Sequence, residues 1–185
     1  KEGDAPVVSI TATDAVAIEG GAAGDAATDN AVVFTVSQDK VSNFDTTVTA
    51  KLDLNEVELA DITSIQYTDA AGTTVTLTAA EVADLTGATG YTVTIPAGSA
   101  TTVAPVFTIT AVDDAIYERS EAFGMNISAP TNATLGTASD TAVIDDEPDT
   151  STPPVDKEGD APVVSITATD AVAIEGGAAG DAATD

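Results

Sequence analysis

Acidic side chains concentrate at three points of this chain, each beside an apolar run that has the character of a strand. The clusters are Glu19; Asp113, Asp114 and Glu118; and Asp145, Asp146 and Glu147. Alternate strand ends of a β-sandwich converge on one pole, so three clusters that are distant in sequence could share one small volume. Carboxylates held side by side repel one another unless they are protonated or bridged by a hard cation.

Calcium is the cation that such a cluster would suit best, because it takes six to eight oxygen ligands and tolerates irregular geometry. Magnesium demands a stricter octahedron, and transition metals prefer nitrogen or sulfur ligands. The spacing matches no EF-hand loop. The residues alone therefore leave two interpretations open: a calcium site, or acidic loops that are simply solvated.

Composition excludes several other kinds of chemistry. The chain has no Cys and no His, so disulfides, thiolate or imidazole metal sites and Ser-His-Asp triads cannot be built. With 31 Asp and Glu against 5 Lys and Arg, the net charge of −26 disfavours binding to nucleic acid or to anionic membranes. No apolar run approaches the length of a membrane span. Paired carboxylates can hydrolyse glycosides, but we expect no enzyme activity and no small-molecule substrate.

The elements that must position the acidic clusters are short strands. Apolar residues alternate with polar ones, as in Val32, Phe34 and Val36, a period typical of half-buried antiparallel strands. Phe107, Phe123 and Tyr117 are predicted to be core aromatics. One short helix is expected over 79–85, because Thr78 and Glu81 form a capping-box pattern. The sequence predicts an all-β, immunoglobulin-like sandwich.

The chain also repeats itself, since residues 1–29 recur letter for letter as residues 157–185. We interpret it as one complete sandwich repeat, 1–148, a linker rich in Pro and Asp, 149–161, and the start of the next repeat, 162–185, in a tandem array. Acidic residues flank the two prolines of the linker. A cation could close this junction through Asp145, Asp146, Glu147, Asp149, Asp156 and Asp160, although a solvated hinge is the simpler alternative.

The second half of the chain resembles the Calx-β domain pattern. The resemblance is carried by VTIPAGS (93–99), FTITAVDDAIYE (107–118), EAF (121–123), APTNATLGT (129–137) and VIDDEP (143–148), with VAIEG (16–20) upstream. Between about residues 41 and 89 the chain is longer and more divergent, so no ligand is assigned there. The resemblance implies a two-sheet sandwich that binds Ca²⁺ at one pole. It implies ligand roles for Glu19, Asp113, Asp114, Glu118, Asp145, Asp146 and Glu147.

Identical tandem repeats in an acidic, Cys-free chain resemble the extender region of a bacterial repeats-in-toxin (RTX) adhesin. That resemblance implies type I secretion, an extracellular position at the bacterial surface, and neighbouring identical repeats as partners. The expected function is a calcium-rigidified structural extender that projects an adhesive tip for cell adhesion and biofilm formation. The alternative is a repeat that itself binds carbohydrate, ice or a cell-surface protein, with multivalency explaining the tandem identity. The second copy of the first strand is expected not to displace the first from its sheet.

Overall fold

The computed structural model describes residues 5–21, 29–114, 116–146 and 164–169. These residues contain eleven strands, one α-helix (α1) and one short 3-10 turn, Leu59–Asp61. In chain order, the elements are β1 Val7–Asp14, β2 Val16–Ile18, β3 Ala31–Gln38, β4 Thr46–Asp53, β5 Ile62–Thr68, β6 Thr74–Thr76, α1 Ala79–Thr86, β7 Tyr91–Ile95, β8 Val106–Ala111, β9 Glu121–Thr131, β10 Thr134–Leu135 and β11 Ser139–Asp145.

The strands form two sheets that pack face to face. One sheet has the order β10-β1-β3-β8-β5-β6 and the other β2-β11-β9-β4-β7. Most neighbours are antiparallel; the exceptions are the short pairings of β10 with β1 and of β2 with β11. The first strand segment thus serves both sheets, β1 in one and β2 in the other. The prediction of an all-β, immunoglobulin-like sandwich is confirmed.

The core lies between the two sheets and follows the alternation seen in the sequence. Val32, Phe34 and Val36 of β3 are fully buried. Phe107 of β8 is also fully buried, and Phe123 of β9 is 2% exposed. The rings of Phe34 and Phe123 meet edge-on across the sheets at 6.0 Å between centroids. Burial of such side chains is the main stabilising term of the fold.

The prediction that Tyr117 is a core aromatic is wrong. Its side chain is 43% exposed, because the residue lies in the loop between β8 and β9 and not on an alternating strand. The helix is confirmed: the hydroxyl of Thr78 accepts a hydrogen bond from the backbone N–H of Glu81, and the Glu81 carboxylate accepts one from the Thr78 N–H at 2.8 Å. In the described part of the chain, no helix is long and apolar enough to cross a membrane.

The chain enters and leaves the sandwich at opposite ends. We call the end where β1 begins the N-pole and the end where β11 finishes the C-pole. Val8 pairs with Gln38 at the N-pole, whereas Asp145 pairs with Ile18 at the C-pole. Among residues 164–169, the second copies of Val8 and Ile10 are Val164 and Ile166, which are 95% and 99% exposed. The first copy therefore holds the β1 position, in agreement with the prediction.

Replacing Phe123 by Ala should lower the free energy of unfolding by about 3–5 kcal/mol, because it removes a buried ring from the contact between the sheets. Phe44 offers a matched control, since it is 67% exposed and its replacement by Ala should change stability by no more than about 0.5 kcal/mol. Chemical denaturation of both variants measures the difference. Equal losses would contradict the description of the core.

Candidate cation site

Glu19 lies at the C-pole because β2 carries it there. Its backbone N–H donates to the carbonyl of Asp145 at 2.9 Å, and the N–H of Ile18 donates to the carbonyl of Asp29 at 2.8 Å. The first bond joins the end of β2 to the end of β11, and the second joins β2 to the segment that leads into β3. The residue is only 4% exposed. A carboxylate buried this far needs compensation for its charge.

The loop between β8 and β9 brings a second group of carboxylates to the same pole. The Asp114 carboxylate accepts a hydrogen bond from the N–H of Ile116 at 2.7 Å, which turns the loop back toward β9. The N–H of Glu118 donates to Oδ2 of Asp146 at 3.0 Å, so this loop is tied to the residue that follows β11. Three segments that are distant in sequence thus meet through backbone and side-chain hydrogen bonds.

Among the described residues, one compact acidic group contains two residues that were not predicted as ligands from the sequence. Asp61, Glu118 and Glu121 each offer a carboxylate oxygen, and these three oxygens lie within 4.8 Å of one another. Asp61 ends the 3-10 turn before β5, and its carbonyl accepts the N–H of Val112 at 2.8 Å. Glu121 begins β9. The group therefore joins the starts of two strands to the loop between β8 and β9.

Burial and mutual repulsion both act on the Glu19 carboxyl. The pKa of Glu19 is raised to about 7, and burial is the largest cause. The negative charges of Glu118, Asp146, Asp114 and Asp61 contribute the rest of this rise. These charges all act on one buried group, so the five side chains form a single electrostatic cluster. With Glu121 added, we call it the C-pole cluster; its members are Glu19, Asp61, Asp114, Glu118, Glu121 and Asp146.

The other two glutamates of the C-pole cluster respond in the same way. Desolvation, followed by the charge of Asp61, raises the pKa of both Glu118 and Glu121. A hydrogen bond between the Asp61 and Glu121 side chains also raises the pKa of Glu121, because two carboxyl groups can hydrogen-bond to each other only when one of them is protonated. The cluster is thus destabilised when all its members are ionised.

Two carboxylate oxygens of the C-pole cluster are buried and make no hydrogen bond within the described residues. They are Oε2 of Glu121 and Oδ1 of Asp146. Buried polar atoms in folded proteins nearly always have a partner, so each exception needs an explanation. Orphaned oxygens, an all-carboxylate ligand set and raised pKa values together fit a hard cation such as Ca²⁺.

The predicted ligands lie in different environments in the structure. Glu19, Asp114, Glu118 and Asp146 are brought together. The backbone carbonyl of Asp145 accepts the N–H of Glu19 and Asp145 is half-buried, whereas Asp113 and Asp114 are both exposed. The remaining predicted ligands, Glu147, Asp149, Asp156 and Asp160, lie outside the described residues.

Asp61 and Glu121 were missed for different reasons. Asp61 falls in the divergent stretch where no ligand was assigned, although Glu56, Glu58 and Asp61 follow the same rule of acidic residues beside a strand end. Glu121 was part of a recognised motif but was not given a role. The signal that could have found both is that β5 and β9 start at the pole where β8 and β11 end.

Comparisons with known proteins gave structural similarity only. No protein-family model matches the chain, and no curated protein matches it. Among solved structures, CBD12 from CALX1.2 is similar at 14% identity and a TM-score of 0.45, over 75% of this chain and 44% of that one. The apo-form Calx CBD1 domain is similar at 14% identity and a TM-score of 0.43, over 77% and 99%. ACE19, the collagen-binding subdomain of the Enterococcus faecalis surface protein ACE, is similar at 12% identity and a TM-score of 0.31, over 78% and 99%. The chain thus spans less than half the length of the CALX1.2 structure.

Without divalent cations, stability should fall as the pH rises from about 4.5 to about 7. In that window the folded state holds a proton on Glu19 that the unfolded state has lost, because the pKa of Glu19 rises from 4.5 to about 7 on folding. The raised pKa values of Glu118 and Glu121 act in the same direction. Melting temperatures in chelator across this range test the effect, and Glu19→Gln should flatten the profile. A melting temperature that rises with pH through this window would contradict it.

Proposed function

We propose that this chain is a calcium-binding structural repeat in which Ca²⁺ neutralises the C-pole cluster. The observation that carries the proposal is the coincidence, at one pole, of a nearly buried Glu19 with two orphaned carboxylate oxygens on Glu121 and Asp146. Solvated acidic loops would leave such oxygens in water. Here they are turned inward and lack protein donors among the described residues, which favours a cation.

Among cations, calcium is the best match to the donors present. The described cluster offers only carboxylate and backbone oxygens, drawn from four segments of irregular geometry. Ca²⁺ accepts six to eight such ligands at variable angles, whereas Mg²⁺ requires a near-ideal octahedron and retains its waters. Asp61, Glu118 and Glu121 would supply the core of the ligand set, with Glu19 and Asp146 beside them.

The proposed mechanism is thermodynamic linkage and involves no catalysis. The folded C-pole cluster would bind calcium and the unfolded chain would not, so each site adds RT ln(1 + [L]/Kd) to stability, about 2.7 kcal/mol at a hundredfold excess. The carboxylates, which repel one another without a cation, would then all be attracted to the bound Ca²⁺. The loop between β8 and β9 and the 3-10 turn would become fixed to β2 and β11.

The extender role rests on the repeat and on the direction of the chain through the sandwich. A module whose chain enters at the N-pole and leaves at the C-pole can be joined head to tail, and the 156-residue repeat supplies the next module. The C-pole cluster would then lie at each junction. In the proposal, Asp145, Asp146 and the acidic residues of the linker share cations that limit the angle between neighbouring repeats.

The wider setting of the proposal comes from the resemblance to RTX adhesins. We place the repeat in an extracellular stalk on a bacterial surface, secreted by a type I system, with identical repeats as its partners. The stalk would hold an adhesive tip away from the cell and so support adhesion and biofilm formation. No nucleic acid, membrane or small-molecule substrate enters this account.

A second candidate function is direct binding of ice or another ordered surface by the repeat itself. Thr residues face one another across strands on the outer faces, as in Thr47 opposite Thr94 and Thr49 opposite Thr92. The hydroxyls of Thr13 and Thr35 lie 2.9 Å apart on the other sheet. Because β-sheets twist, their outer faces are not flat, which disfavours a close fit to a flat surface such as ice. Binding that grows steeply from one repeat to four would favour this function over the extender.

The double variant Asp61→Asn, Glu121→Gln should have opposite effects in chelator and in calcium. Without calcium the melting temperature should rise by several degrees, because two repelling charges are removed. The gain of melting temperature on adding calcium, expected in the wild type, should largely disappear. Differential scanning calorimetry with calcium, magnesium and chelator measures both effects.

Asp84→Asn is the control for this double variant, because it also removes an acidic charge. Asp84 is exposed on α1 and is not among the groups that shift the pKa of Glu19, Glu118 or Glu121. It should keep the full calcium response. If the double variant keeps that response too, the cation does not bind at Asp61 and Glu121.

Two consecutive repeats should become longer and stiffer in calcium. Small-angle X-ray scattering should give a larger maximum dimension in calcium than in chelator, and magnesium should have a smaller effect. The double variant Asp145→Asn, Asp146→Asn should reduce this increase in maximum dimension. An unchanged maximum dimension, together with a normal calcium-dependent rise in melting temperature, would show a stabilised repeat that does not act as a stiff extender.

A further inference from the structure

Exposed apolar side chains of the sandwich are concentrated at its two ends. Within the described part of residues 5–146, seven large apolar side chains are exposed, and of these only Val75 lies on the side of the sandwich, on the edge strand β6. The others divide evenly between the poles: Val41, Phe44 and Leu135 at the N-pole, and Leu59, Ile116 and Tyr117 at the C-pole. Scattered exposed apolar residues need no explanation, whereas grouped ones mark interaction sites.

The loop between β3 and β4 presents two of these side chains at the N-pole. Phe44 is 67% exposed and Val41 is 55% exposed. The loop itself is held in place by Ser42, which is buried. The hydroxyl of Ser42 accepts the N–H of Phe44 at 3.0 Å, and its carbonyl accepts the N–H of Gly98 at 2.8 Å. Because the backbone beneath Phe44 is already ordered, docking on this ring costs little further conformational entropy.

The loop between β8 and β9 presents Ile116 and Tyr117 at the C-pole, where they are 61% and 43% exposed. They lie between two hydrogen bonds to the C-pole cluster. The N–H of Ile116 donates to the Asp114 carboxylate at 2.7 Å, and the N–H of Glu118 donates to Oδ2 of Asp146 at 3.0 Å. A cation that holds these carboxylates would therefore also hold the backbone that carries both apolar side chains.

Charge decides which poles can meet. The C-pole carries the six carboxyl groups of the C-pole cluster, so two C-poles would repel each other. The charged residues of the β3–β4 loop at the N-pole are Asp39, Lys40 and Asp45, which nearly cancel. The Asp39 carboxylate accepts the N–H of Val7 at 2.7 Å, and that of Asp45 accepts the N–H of Ala97 at 2.8 Å. Contact between a C-pole and an N-pole is therefore favoured over contact between two C-poles.

The small size of each apolar group favours a tethered partner over a free one. A stable complex between free proteins buries about 800 Å² on each partner, from roughly 20–30 residues. Three exposed apolar side chains at each pole fall well short of that. A neighbouring repeat on a short linker has an effective concentration in the millimolar range, so a weak contact is sufficient. The sequence begins again 156 residues further on, and a sandwich of this kind is entered at its N-pole.

We propose that the C-pole of one repeat docks onto the N-pole of the next repeat in the same chain, with Phe44 of the second packing against Ile116 and Tyr117 of the first. The proposal rests on the tandem arrangement in the proposed function and adds an apolar contact to the junction described there. Calcium and the apolar contact act together, since the cation fixes the loop that carries Ile116 and Tyr117.

Thermal unfolding of two consecutive repeats in calcium tests the contact. Two repeats should melt higher than the 185-residue chain by about 3 °C or more, because docking stabilises both modules. Phe44→Ala in the second repeat should remove most of this difference. The same substitution in the first repeat is the matched control and should leave the difference unchanged, because the N-pole of the first repeat has no preceding partner.

Engineered disulfides identify the partner directly, because the sequence has no Cys of its own. Tyr117→Cys in the first repeat with Phe44→Cys in the second should form a disulfide within one molecule in most of the protein. Tyr117→Cys in the first repeat with Val75→Cys in the second is the control and should stay mostly reduced, because Val75 is exposed but lies away from both poles.

The proposal is overturned if Phe44→Ala has the same effect in both repeats. It is also overturned if the disulfide yield equals that of the Val75→Cys control or if the disulfide joins two molecules. These failures differ from a failure of the proposed function. A calcium-dependent rise in melting temperature without these contacts would contradict docking alone, whereas the predicted disulfide without any calcium response would contradict calcium binding alone.

Discussion

Repulsion between half-buried carboxylates at the C-pole is the interaction on which the proposed behaviour of this molecule depends. Glu19 is held below the surface by β2, while Glu118, Asp146, Asp114 and Asp61 direct negative charge at it. A cluster of this kind opposes compaction unless protons or a cation offset it. The sandwich must therefore obtain its own stability from its core, and the cluster makes part of that stability depend on the solvent.

The core is arranged so that the cluster can exist. The two sheets bury their alternating apolar residues along their whole length, from Val8 near the N-pole to Ile144 near the C-pole. This rigid body fixes where each strand ends, and the acidic residues sit just past those ends. Backbone bonds such as that from Glu19 to Asp145 then hold the carboxylates close despite their repulsion. Packing in the body thus opposes the electrostatics at the pole.

The strands could be predicted from the sequence because their information is local. Val32, Phe34 and Val36 alternate with less apolar neighbours, and all three are buried as the period requires. The capping box at Thr78 likewise fixed the start of α1. Tyr117 was placed wrongly because it is aromatic but lies in a loop, where alternation gives no information.

The candidate site could be predicted only in part, because it depends on long-range pairing. Glu19, Asp114, Glu118 and Asp146 lie in motifs that the resemblance covers. Asp61 joins them because β5 pairs with β8, with Ile62 opposite Ala111, and no local pattern encodes that register. Glu121 depends in turn on β9 starting beside the end of β11, where it pairs with Ile144.

The central claim is that a cation takes the place of protons on the C-pole cluster. Isothermal titration calorimetry of calcium into the chain at about pH 6.5, repeated in buffers of different ionisation enthalpy, measures binding and proton release together. Saturable binding with release of protons is expected, because the pKa of Glu19 lies at about 7 before calcium binds and must fall when calcium binds. Calcium binding without proton release, or no saturable binding at all, would contradict it.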